Sequence, residues 1–101
     1  MEADIVRGLV TLHQDRKGSI GYGELHSDIS IQGLSVFYIQ PGLVRRFCLR
    51  QGDQISAHVQ SPRGWLTRWH IRQLITINDQ GCELVRRQCQ SNATQAAAHV
   101  P

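Results

Sequence analysis

A proline-glycine pair between two strand-like runs, Pro41-Gly42, constrains this chain more than any other feature. Before it, Val36-Phe37-Tyr38-Ile39 is a β-branched and aromatic run of the kind that fits a pleated sheet. Proline gives a ladder no donor and glycine accepts turn geometry, so the strand ends there. In Leu43-Val44-Arg45-Arg46-Phe47, helical spacing puts Leu43, Val44 and Phe47 on one side of a single turn and the two arginines on the other. Leu49-Arg50-Gln51-Gly52-Asp53 then leads into an alternating run, Gln54 to Gln60, with Ile55, Ala57 and Val59 facing one way. Strand, short helical plug, turn and strand in such close succession suit a small closed barrel.

The flanking sequence supplies further strands. Ile5 to His13 reads as the first, with Gly8 marking a bend where a barrel strand turns a corner. Gln14-Asp15-Arg16-Lys17-Gly18 is a polar hairpin loop. Ser19 to Leu25 alternates small and larger residues, the pattern of a strongly curved second strand. His26 to Ser35 reads as a loop with a short apolar element at Ile29 and Ile31, or as a β-arm. Val36 to Gln40 is the third strand. Ser61-Pro62-Arg63-Gly64 is a turn, and Trp65 to Ile77 carries the fifth strand. Asn78-Asp79-Gln80-Gly81 ends the barrel. Cys82 to Cys89 suits either two helical turns or an extra strand, and the composition from Gln90 suggests a frayed tail. The expected organisation is a domain over residues 1–79 and a partly disordered C-terminal extension over 80–101.

The chain has 101 residues, enough for one domain with a modest core. Its net charge is +3, and Lys17 is the only lysine among eleven basic residues. Arginine offers phosphate a planar fork and stacks on bases, so the bias favours nucleic acid; a solvated arginine-rich surface is the alternative. Cys48, Cys82 and Cys89 are odd in number and form no C-x-x-C, which implies neither a disulfide framework nor a four-ligand zinc site. Reduced thiols and a cytoplasmic location are the expectation, since no secretory or transmembrane segment is visible.

Tyr38, Pro41, Arg45-Arg46-Phe47 and Leu49-Arg50-Gln51-Gly52-Asp53, in that order and without a gap, resemble the RNA-binding domain of transcription termination factor Rho. The resemblance runs more weakly from about Ile5 to Asp79. It implies an all-β, five-stranded OB-fold or cold-shock barrel with a short helical plug after strand three. It also puts Tyr22 in the place of a base-stacking phenylalanine, and Ile20 where the family has another aromatic. Tyr38 and Trp69 are similar in position to a strand-three tyrosine and a late aromatic that help hold a cytosine. Arg68 precedes Trp69 as an arginine does in the family. Two positions depart from the pattern. Glu24 stands where an arginine is expected and repels phosphate, and Thr67 is nearest to where a glutamate reads the exocyclic amine of cytosine. Base preference is therefore left open.

Several chemistries lack their residues. There is no G-x-x-x-x-G-K-[ST] loop, no nucleophile elbow around any serine, and no metal spacing among His13, His26, His58, His70 and His99. Neither an enzyme nor a cofactor is expected. The candidate nucleic-acid residues are Tyr22, Tyr38 and Trp69 for stacking, with Arg68, Arg45, Arg46 and Arg50 for phosphate. For the tyrosines the alternative is half-buried packing. For Arg46 and Arg50 it is pairing with Asp53 or capping the plug. Trp65 is either a loop-tip stacker or a lid, while Phe37 and Phe47 belong to the core. The expected partner is single-stranded RNA or DNA, with no membrane. The alternative is a protein-interaction module acting on Rho or other transcription machinery.

Overall fold

A computed structural model describes residues 5–18, 20–64 and 66–98. Trp65 therefore lies outside the described residues, as do the side chain of Ile20 and those of residues 92–98. The strands are β1 (Ile5–Gln14), β2 (Ile20–Ile31), β3 (Leu34–Ile39), β4 (Gln54–Gln60), β5 (His70–Ile77) and the two-residue β6 (Gln80–Gly81). Helix α1 (Pro41–Arg46) follows β3, and α2 (Cys82–Ala98) closes the order. The sheet runs β3-β2-β1-β4-β5-β6 and closes through a parallel β3–β5 bridge at Tyr38 and His70, where the Tyr38 amide donates to the Trp69 carbonyl at 3.1 Å. The result is a five-stranded barrel of the OB-fold kind, with a helix after the third strand and β6 as a short appendage.

Alternation explains the core. Val6 and Val10 of β1, Leu25 of β2, Phe37 and Ile39 of β3, and Ile55, Ala57 and Val59 of β4 point inward and are buried. Ile71, Leu74 and Ile77 of β5 join them. Gly8 allows β1 and β2 to cross closely, because a Cβ there would run into the backbone carbonyl of His26.

Helix α1 is the predicted plug. Pro41 starts it at a position where no amide donor is needed. Val44 and Phe47 are buried, Leu43 packs on the core, and Arg45 and Arg46 face solvent. The helix ends with Cys48 in the left-handed region (φ 50°), the Cys48 amide donating to Arg45 and the Leu49 amide to Val44. This is a Schellman-type stop, usually built on glycine, and it turns Leu49 into the core.

Two expectations about local structure are resolved. His26 to Ser35 is the arm: β2 continues to Ile31 and returns through Gln32-Gly33, both at positive φ, as a two-residue hairpin turn requires. Cys82 to Cys89 is helical, and the helix continues to Ala98, past the change of composition at Gln90.

The cysteines require a correction. Cys48 and Cys89 form a disulfide with a Cα–Cα distance of 5.8 Å, and Cys82 is the free thiol. Odd count and spacing missed the pair because the docking of α2 beside the plug brings it together. Among the described residues no helix is long and apolar enough to cross a membrane.

Candidate nucleic-acid interface

The outward-facing residues of β1, β2 and β3 fall into rows fixed by register. His13 lies opposite Tyr22; Thr11, Glu24 and Tyr38 line up across the three strands; Leu9, His26 and Val36 form the next row. Period-two alternation places all of them on the outer wall once Leu25, Phe37 and Val10 are committed to the core. Barrel closure between β3 and β5 brings Arg68, just ahead of β5, beside Tyr38.

These residues form one continuous cluster. The His13 and Tyr22 rings stack at 4.7 Å with 17° between planes, and the Tyr22 and Tyr38 rings are 5.5 Å apart and tilted by 37°. The Arg68 guanidinium lies 5.3 Å from the centre of the Tyr38 ring, within cation–π range. Both tyrosines are half-buried. A run of imidazole, two phenols and a guanidinium is a platform on which flat, polarisable groups can stack.

Glu24 sits at the centre of this run. His13 Nε2 donates to Oε1 at 2.8 Å, Arg68 donates to Oε2 at 3.2 Å, and His26 Nε2 is 3.9 Å from Oε1. The hydrogen bond from His13 chiefly holds the Glu24 carboxyl below its usual range; Arg68 adds to this while partial burial pulls the other way. The residue expected to repel phosphate is thus hydrogen-bonded to His13 and paired with Arg68. The signal was available only through register, since His13, Glu24 and Arg68 are remote in the chain.

The remaining candidates lie apart from this run. Trp69 is half-buried and meets Phe37 edge-on, with 6.4 Å between ring centres, so its indole packs against the core. Arg45 and Arg46 stand on the solvent side of α1. Arg50 lines a groove of about 420 Å³ between the plug exit and α2, with Phe47, Ile77, Val85 and Gln88 among its walls. The Asp53 carboxylate accepts from the backbone amide of Arg50 at 2.8 Å and from Asn78 Nδ2 at 3.0 Å. It therefore shapes the turn through Arg50's main chain. Thr67 is exposed beside Arg68.

The model of the Rho termination factor RNA-binding domain matches residues 4–83, a span that includes the whole barrel, the plug and every residue of the outer cluster. No curated protein matches the chain. With closed barrel, plug and outer aromatic wall in place, the chain belongs to the family of Rho termination factor RNA-binding domains.

Proposed function

We propose that the chain binds single-stranded RNA on the outer wall of its barrel, with bases stacking against the Tyr22–Tyr38 platform and arginines contacting the phosphates. The observation that carries this reading is the pair of tyrosine rings 5.5 Å apart on one outward face, with the guanidinium of Arg68 over Tyr38. Each stacked base contributes on the order of 1–3 kcal/mol, so two platforms suffice for a useful, sequence-tolerant interaction. Arg68 borders the platform. Arg45, Arg46 and Arg50 extend the basic surface for a strand that runs past the plug. Trp69, half-buried next to Arg68, supports β3 through Phe37. Thr67 carries a hydroxyl that either donates or accepts, so cytosine and uracil should bind with similar affinity.

A titration of the ¹⁵N-labelled chain with short oligo-C, oligo-U and the matching DNA, at low and high salt, tests the proposal. Resonance shifts confined to Tyr22, Tyr38, Arg68 and their strand neighbours, weakening with salt, are the expected result. Unmoved resonances at those positions with every oligomer would remove it.

A second reading is a protein-interaction module that acts on Rho-dependent termination without strong RNA binding. The Glu24 carboxylate favours it, because it engages both Arg68 and His13 and leaves the platform with little free positive charge. Co-purification with Rho would support that reading, and failure to form a complex at high concentration would count against it.

A further inference from the structure

The hydrogen-bond donors of the outer wall already hold an anion. Glu24 is contacted by His13 from β1 at 2.8 Å, by Arg68 from ahead of β5 at 3.2 Å and by His26 from its own strand at 3.9 Å. Tyr22 and Tyr38 flank it. We propose that His13 and Arg68 form a phosphodiester-binding pair that Glu24 keeps closed, its carboxylate standing in for a backbone phosphate of the bound strand. The proposal rests on the RNA-binding reading above and adds to it a site and a way of opening it.

A carboxylate and a phosphodiester make the same demand of their surroundings: two anionic oxygens that accept charge-assisted hydrogen bonds. Donors that hold the first are placed for the second. Holding Glu24 also keeps His13 flat on Tyr22 and Arg68 over Tyr38, which covers the ring surface that a base would use. One event therefore frees both halves of the site, uncovering the tyrosines and releasing the His13 and Arg68 donors.

Magnitudes favour displacement. A clasp as open as this, with the His13 and Arg68 side chains 39% and 48% exposed, is weak in water, and its Arg68–Glu24 ion pair is a surface one. A strand that places a phosphate in the clasp while stacking a base offers more than the clasp loses. Arg68 can swing without disturbing the barrel, because its carbonyl is anchored by Nδ1 of the buried His70 at 2.9 Å. His13 lies on the last stretch of β1, next to a register shift at Gln14, where small movements are accommodated.

The test is fluorescence anisotropy with a labelled single-stranded oligo-U RNA over a range of salt, using the native chain, Glu24→Gln, Glu24→Gln with His13→Ala, and Asp28→Asn. Glutamine keeps the shape of the side chain, and an amide spectrum of each variant verifies the fold. Glu24→Gln should bind about threefold more tightly or better, the scale of one weak ion pair. Its dependence of log K on log salt should steepen by about 0.7, for the one further phosphate that the freed Arg68 neutralises. Adding His13→Ala should reverse part of the tighter binding. Asp28→Asn removes the same charge from an exposed position on the same strand outside the clasp, and should stay near the native affinity. If the native chain binds and Glu24→Gln binds no better, or if Asp28→Asn tightens binding equally, the clasp is wrong and RNA binding stands. If neither the native chain nor Glu24→Gln binds, both fall.

Discussion

Tyr38 and Trp69 are joined by a single backbone hydrogen bond of 3.1 Å, and that bond lies where the third strand meets the fifth to close the barrel. The two side chains then part company: the phenol faces the outer wall beside Arg68, and the indole packs edge-on to Phe37. The closure thus builds the platform on one side and braces it on the other.

Tyr38→Ala should leave the barrel folded, because the ring is only half-buried and its backbone bonds remain. It should weaken RNA binding by about 1–3 kcal/mol, the value of one stacked base. Anisotropy for affinity and far-ultraviolet circular dichroism for fold check the two halves of the prediction.

Gly8→Ala should destabilise the chain by roughly 2 kcal/mol or more, since the new Cβ collides with the His26 carbonyl and forces β1 and β2 apart. A denaturant titration reads the loss as a lower midpoint. Retained native stability would show that the strands relax freely at the crossing.

Glu24 gives stability a definite pH dependence. Its folded-state pKa is depressed below 4.5, so its contribution is fully present above that value and is lost as pH falls through the lower folded value. Denaturation midpoints measured through the acid range should fall less steeply for Glu24→Gln than for the native chain.

Breaking the Cys48–Cys89 bond should cost about 2–4 kcal/mol, because it ties residues 41 apart in sequence and restricts the unfolded chain. Cys48→Gly separates that effect from the helix stop, since glycine adopts the positive φ without strain. The native chain with dithiothreitol should lose stability, whereas Cys48→Gly should not respond to the reductant. Equal midpoints of the native chain with and without reductant would contradict this.

Much of the barrel was legible in the sequence, for physical reasons. Pro41 can neither extend a strand nor sit inside a helix, and Leu43, Val44 and Phe47 have helical spacing, so the plug could be placed. Ile55, Ala57 and Val59 alternate without interruption, so β4 could be oriented. The polar run from His26 to Ser35 left loop and arm undecided because its apolar residues are few; Ile29 and Leu34 are in fact exposed on the arm. At the site, Tyr22, Tyr38 and Arg68 were picked out singly, but their meeting depends on register. For Glu24 the sign was readable, but not the two groups, His13 and Arg68, that hydrogen-bond to it. Trp69 was picked out with the tyrosines from its position alone, and its contact with Phe37 depends on how β3 and β5 meet.

The covalent link between plug and C-terminal helix spans the exposed loop at 61–64, which divides the barrel's strands into two groups. A protease that cuts after Arg63 would therefore not release either piece. The nicked molecule would migrate as one species and separate into residues 1–63 and 64–101 only when a thiol is added.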